Sequence, residues 1–221
     1  MCSAVLNPAE AWPAVRFRKV QPRAVATWLG PELREMPWFA ERLREDWALH
    51  TCRAEGDADT HQDLLSILGF AGRLALFAQG AIEALRPKRV LALLGPDAEG
   101  WWELSTRGRP YWFPELSGRI ARIRCRRLGI TPGFRGGLSL KPEAASQLIP
   151  TFCLMAGVRR SCDLYLVLPA CPAVVMFCHH CDIHVYMPKA RSLGELEDLA
   201  RVHGLSVVPG VDPIRQPGPV R

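Results

Sequence analysis

Three short apolar runs decide the fold: Asp163-Leu-Tyr-Leu-Val-Leu168, Ala173-Val-Val-Met-Phe-Cys178 and Ile183-His-Val-Tyr-Met187. Each run has the length of a strand, is rich in β-branched and aromatic residues, and is bounded by residues that favour turns. The connections Ala170-Cys-Pro172 and His179-His-Cys-Asp182 are as short as hairpin loops. The stretch therefore predicts three neighbouring strands of an antiparallel meander.

Further strands are predicted on both sides of this meander. They are the apolar run 89–94, a hairpin with strands 100–104 and 109–113, the alternating stretch 119–127 and a last strand over 205–208. In the alternating stretch, the period of two places Arg122, Arg124 and Arg126 on one face of a strand. The sequence thus predicts a basic strand beside an aromatic hairpin.

Helices are predicted mainly before residue 87. Pro31 begins a helix that runs to about His50, with a buried apolar stripe at helical spacing. Residues 64–85 are apolar on nearly every side, which predicts a central helix covered by several neighbours. A capping box, Ser192-Leu-Gly-Glu195, begins a later helix that ends at Gly204. The predicted fold class is α+β, with N-terminal helices packed on a mostly antiparallel β-sheet.

The composition predicts one domain of ordinary size. Apolar residues make up 48% of the 221, enough to fill a core. We predict an irregular N-terminal segment over 1–22, a single α+β domain over 23–209 with a subsidiary boundary near 87, and a flexible tail over 210–221. No signal peptide and no membrane span are recognised, so a cytoplasmic protein with reduced cysteines is expected.

The charge balance and the missing motifs favour a binding role. The net charge is +6, and arginine suits bidentate contacts with carboxylate or phosphate. No nucleotide loop, nucleophile elbow or His-Glu-x-x-His motif is present. We therefore expect a non-catalytic domain of the inhibitor, adaptor or toxin-neutralising type, with enzyme activity left open and no cofactor. Its partner would be an acidic protein, with nucleic acid as the alternative, contacted through Arg122, Arg124, Arg126, Trp101, Trp102 and Trp112.

The second function hypothesis concerns the cysteine- and histidine-rich turn of the meander. Residues 171–187 hold three of the eight cysteines and three of the six histidines. A Cys178-x-x-Cys181 pair resembles half of a zinc knuckle, and His180 and His184 would add imidazole ligands. The alternative function is thus a zinc-binding protein, a zinc enzyme included, centred on Cys178–His184. Packing of buried thiols together with ordinary turn chemistry would also explain the pattern.

Overall fold

A computed structural model describes residues 17–22, 24–25, 47–54, 64–95, 100–102, 119, 122–123, 125–126, 129–145, 148, 152, 163–169, 171, 173–178, 182–189 and 194–209. The strands are β1 (Phe17–Val20), β2 (Trp47–Ala54), β3 (Val90–Leu94), β4 (Gly137–Leu140), β5 (Leu164–Leu168), β6 (Ala173–Phe177), β7 (Ile183–Pro188) and β8 (Leu205–Pro209). The helices described from end to end are α1 (Leu64–Leu85) and α2 (Gly194–Val202), and Pro142–Ala144 forms a 3-10 turn.

All eight strands form one sheet in the order β1-β4-β3-β5-β6-β7-β2-β8, and each pairing is antiparallel. The meander β5-β6-β7 is the one that the sequence predicts, and so are β3 and β8. The predicted fold class is wrong, because the N-terminal region supplies strands to the sheet. The helices α1 and α2 follow strands in the chain, and the described fold is mostly sheet.

Two strands replace predicted non-strand segments. Residues 17–20, expected to be irregular, pair with β4 as strand β1 at one edge of the sheet. The helix predicted from Pro31 to about His50 is wrong at its C-terminal end, because β2 begins at Trp47. Strand β2 lies between β7 and β8, and pairing with both outweighs the local helical spacing of apolar residues. Residues 31–46 lie outside the described part.

The predicted basic strand and the first strand of the aromatic hairpin are also wrong. Helical backbone is found at Trp101, Trp102 and the described residues of the arginine stretch, which are Arg119, Arg122, Ile123, Cys125 and Arg126. The alternation of arginine with apolar residues therefore does not reflect a strand. Residues 103–118 lie outside the description, as do 1–16 and the predicted tail 210–221, so the domain division stays a prediction.

One face of the sheet, here called the helix face, packs against α1 and α2. The burial of α1 side chains is described from residue 72 onward. Leu74, Phe77, Ala81 and Ile82 are buried, and Arg73, Leu76 and Glu83 are exposed. From residue 72 onward the helix is therefore buried on one side, whereas the sequence predicts burial around most of its circumference. Against it lie alternate residues of the strands, including Cys52, Val175, Phe177, Ile183 and Val185.

Helix α2 packs closely on α1 and then turns sharply into β8. A Cβ at Gly80 would lie 2.8 Å from Leu199 Cδ1, so the absence of a side chain there permits the close approach. The helix ends as predicted, because Gly204 takes the left-handed conformation (φ 67°) that favours glycine. Among the helices described, none has both the length and the apolar character needed to cross a membrane.

The opposite face, here called the site face, has a second apolar cluster. It includes Trp47, Leu91, Leu93, Tyr165, Val167, Val174, Met176 and Tyr186, with Ala24 and Val25 packed against it. At the end of this cluster nearest the β6–β7 turn, the side chains become polar. That end of the sheet carries the candidate site.

Candidate metal centre

The sheet register places side chains of three neighbouring strands side by side on the site face. Thr51 of β2 lies opposite His184 of β7, and His184 lies opposite Met176 of β6. Directly opposed residues of an antiparallel pair point to the same face, with Cβ atoms about 4.5–5.5 Å apart. Because side chains alternate, Arg53 and Cys178 belong to the same face two positions along their chains.

The β6–β7 hairpin brings Asp182 to this row. Phe177 and Ile183 are its last registered pair, and the backbone N–H of Cys178 donates to the carbonyl of Asp182 at 3.0 Å. Cys178 and Asp182 are thus opposed across the closing position of the hairpin. His184, two residues further along β7, lies diagonally across from Cys178.

The result is a compact set of three potential ligands. One donor atom each from Cys178, Asp182 and His184 lies within 4.8 Å of the others, and all three residues are buried. Their relative exposures are 1%, 5% and 1%, so water would compete little with these side chains for a bound ion. Thiolate, carboxylate and imidazole are the three protein ligand types that zinc accepts.

His184 is held by a hydrogen bond across the β7–β2 pair. Thr51 Oγ1 and His184 Nδ1 are 2.9 Å apart, and both side chains are buried. In the tautomer in which the Nδ1–H donates to the hydroxyl oxygen, Nε2 carries the lone pair that can bind an ion. Such outer-shell contacts fix the ring orientation of metal-binding histidines.

Asp182 is held by a forked contact with Arg53. The guanidinium donates from Nε to Oδ1 and Oδ2 at 3.1 and 3.2 Å, and from Nη2 to Oδ2 at 2.8 Å. The hydrogen bonds and charge of Asp182, more than the charge of Cys178, raise the pKa of Arg53. The two carboxylate oxygens have about four lone-pair sites, so the arginine fork leaves acceptor capacity for an ion.

Another cysteine, Cys52 of β2, is excluded from this set by the alternation of side chains along the strand. Cys52 lies between Thr51 and Arg53, and its side chain joins the core on the helix face. Burial, with a smaller contribution from the charge of Asp182, raises the pKa of the Cys52 thiol to about 12. Cys52 therefore stays protonated at neutral pH and acts as a small apolar side chain.

The predicted metal ligands divide into two groups. Cys178 and His184 do come together, whereas His180 and Cys181 lie outside the described residues. The sequence pattern predicts Asp182 as a turn residue and not as a ligand, although its residue type and its position two before His184 are signals of a ligand. Thr51 and Arg53 were missed because only the pairing of β2 with β7 brings them to the turn.

The predicted partner-binding residues occupy different environments. Trp101 is buried and donates its indole N–H to the carbonyl of Gly136 at 2.8 Å, so it belongs to the core. Trp102 is half-buried, with the Arg126 guanidinium 5.9 Å from its ring centroid. Arg122 is half-buried, and Arg124 and Trp112 lie outside the description. The binding role of this group stays a prediction.

Chemically, the cluster could supply three of the four ligands that a tetrahedral ion needs. A site with three protein ligands keeps a position for water or another small ligand, as zinc sites in enzymes do. Comparisons with protein-family models, curated proteins and solved structures find no match to this chain.

Proposed function

We propose that this protein binds zinc through Cys178, Asp182 and His184. The observation that carries the proposal is the meeting of three buried donor atoms within 4.8 Å of one another, one of each type. A sulfur, an oxygen and a nitrogen donor together suit a borderline ion such as Zn²⁺. Magnesium and calcium prefer sites made only of oxygen.

Charge compensation supports the proposal. Burial of an ionised carboxylate or thiolate costs free energy unless a counter-charge is near. Arg53 supplies one positive charge, but its side chain is 55% exposed while that of Asp182 is 7% exposed. A zinc ion bound to Asp182 would supply the remaining compensation and allow Cys178 to bind as a thiolate.

The ion would also connect three strands at the end of the sheet. Cys178 follows β6, His184 belongs to β7, and Thr51 of β2 holds His184. Binding at such a site contributes to folding, because the unfolded chain does not bring these ligands together. A chelator should therefore lower the melting temperature.

The direct test is metal content and zinc titration of protein purified without a histidine tag. We expect about one equivalent of zinc in the wild type and loss of tight binding in Cys178→Ser, Asp182→Asn and His184→Gln. Cys171→Ser and His203→Gln are matched controls that should retain zinc. Cys171 donates its S–H to the carbonyl of Leu85, a bond that serine can keep.

Two results would overturn the zinc proposal. One is a wild type that holds less than about a tenth of an equivalent and does not respond to added zinc. The other is a set of site variants that bind zinc as tightly as the two controls. Circular dichroism of each variant separates the loss of a ligand from the loss of the fold.

We propose, as a second candidate, binding of an acidic protein through the arginine stretch. The observation that favours it is the helical backbone at Arg119, Arg122, Ile123 and Arg126. These residues are three or four positions apart, which is the spacing of side chains that meet on one face of a helix. Ile123 is 51% exposed, and Arg119 and Arg126 are exposed. An exposed apolar side chain among arginines is typical of a contact surface with a carboxylate-rich partner.

Charge reversal tests this candidate. Arg119→Glu with Arg126→Glu should abolish recovery of a specific partner from the native cells and leave the fold intact. Arg73→Glu, on the exposed side of α1, is the matched control and should keep the partner. Equal recovery by both variants would remove this surface from the proposal, and recovery that is lost after nuclease treatment would assign it to nucleic acid.

A further inference from the structure

We infer that the zinc site takes a small anionic ligand, such as a carboxylate, that completes the coordination of the ion and pairs with Arg53. The inference rests on the proposed zinc site and names the ligand class for its open position. Three features of the described residues carry it: the three-ligand set, the charge of the cluster, and the exposure of the Arg53 fork.

The charge of the cluster favours an anion. The two positive charges of zinc are matched by the Cys178 thiolate and the Asp182 carboxylate, and His184 binds as a neutral ring. The single positive charge of Arg53 is then left over, next to the Asp182 carboxylate that would hold the ion. A monoanion would neutralise it, whereas a neutral ligand would leave a cation next to a partly desolvated ion.

Arg53 has hydrogen-bond donors to offer such a ligand. Its contacts with Asp182 use Nε and one N–H of Nη2, and a guanidinium has five N–H groups in all. No contact of Nη1 is found within the described part of the chain. An exposed arginine fork beside a metal ion is suited to a carboxylate, one oxygen of which can bind the metal while the other accepts from the arginine.

The edge of the sheet leaves an approach to this arginine. Ser206 of β8 lies directly opposite Arg53, and β8 is an edge strand. Ser206 is exposed, and its hydroxyl donates to the backbone carbonyl of Arg53 at 3.3 Å, so its short side chain is directed to the backbone. A ligand can therefore reach the guanidinium from solvent along the β8 edge.

Cobalt substitution gives a readout that does not need a known activity. Co²⁺ can replace zinc in the purified apoprotein, and its visible absorption reports ligands that enter the first coordination sphere. The probes are acetate and azide, titrated into the cobalt protein at constant ionic strength and pH. We expect saturable spectral changes in the wild type. Arg53→Gln should raise the dissociation constants of both probes by about tenfold or more, because one charge-assisted hydrogen bond is lost.

The control variant is Arg89→Gln. Arg89 donates to Ser139 on the same face of the sheet, but it precedes β3, which is four strand spacings, or about 19 Å, from β2. This variant should bind both probes as the wild type does. If Arg53→Gln no longer holds cobalt, Arg53→Lys keeps the charge without the fork and should show anion binding weaker than that of the wild type.

The outcomes separate the two proposals. A wild type that takes up no Co²⁺ or Zn²⁺ overturns the zinc site and this inference together. If the spectrum of the cobalt protein does not change with acetate or azide, the zinc site stands and this inference is overturned. Water or hydroxide would then fill the fourth position. Anion binding that is equally tight in wild type and both Arg53 variants also overturns the role of Arg53.

Discussion

The two faces of the sheet use cysteine in opposite ways, and strand β2 shows the contrast within three residues. Cys52 points to the helix face, where apolar burial raises the pKa of its thiol to about 12. Its neighbours Thr51 and Arg53 point to the site face and hold His184 and Asp182. There the thiol of Cys178 lies within 4.8 Å of a donor atom of Asp182 and of His184, so it belongs to a set of potential metal ligands.

The contrast shows that register, more than composition, creates the candidate site. A shift of β2 by one residue would place Cys52 on the site face and turn Thr51 and Arg53 towards the helices. His184 and Asp182 would then lose the contacts that orient them. Substitutions on the two faces should therefore act through different causes. On the helix face they should lower stability through lost apolar burial, and on the site face through an uncompensated charge.

The largest effect is expected from the helix face. Phe77 is fully buried between α1 and the sheet, so Phe77→Ala should lower the free energy of unfolding by about 3–5 kcal/mol through lost burial and a residual cavity. Leu76→Ala is the matched control on the same helix. Leu76 is 56% exposed, so its change should be within about 0.5 kcal/mol. Urea unfolding measures both, and a similar loss in the two variants would contradict the one-sided burial of α1.

Local patterns account for the parts of the fold that were predicted correctly. The strands of the meander are neighbours along the chain and are predicted by the short turns between them. Helix α2 is a single local segment and is predicted by its capping box and by Gly204. Strands β1 and β2 lack such signals because their partners are far along the chain. Trp47 belongs to an apolar series at helical spacing, yet it pairs with Pro188 of β7. Tertiary pairing decides the structure of such a segment.

The same division applies to the site. Cys178 and His184 could be identified by ligand type within one short turn. Asp182 was visible in that turn but was assigned to turn chemistry. Thr51 and Arg53 gave no signal, because their contacts with His184 and Asp182 join positions 133 and 129 residues apart.

A smaller effect is expected from the ion pair on the site face, and it should be asymmetric. Arg53→Met would leave the buried Asp182 charge without its partner, at a cost of about 2 kcal/mol in metal-free protein. Asp182→Asn would leave a guanidinium that is 55% exposed and can be hydrated, so its cost should be about 1 kcal/mol. Unfolding in the presence of a chelator measures both.

Added zinc sharpens this comparison. A bound ion would compensate the carboxylate, so the Arg53→Met variant should be stabilised by zinc more than Asp182→Asn, which lacks a ligand. If the two substitutions lower the free energy of unfolding equally without metal, then Arg53 is not what compensates the buried charge of Asp182. Arg201→Met, which breaks an exposed pair with Asp198, is the control and should change stability by less than about 1 kcal/mol.

The smallest effect concerns His50, a buried polar residue on the helix face. It lies on β2 two residues before Cys52, and neither ring nitrogen has a hydrogen-bond partner among the residues described. Burial lowers the pKa of His50 from its usual value of 6.5, while the charge of Glu197 on α2 opposes that shift. The folded state therefore binds the proton less readily than the unfolded state does. Its stability is full above pH 6.5 and declines as the pH falls below that value.

Substitutions at both positions test this pH dependence. His50→Gln should reduce the loss of unfolding free energy between pH 7 and pH 5, because glutamine does not titrate. Glu197→Gln should increase that loss, since it removes the charge that favours the protonated ring. His203→Gln, beyond the end of α2, is the control and should retain the wild-type difference. Urea unfolding at the two pH values measures all three, and an unchanged difference in His50→Gln would show that other groups cause the acid sensitivity.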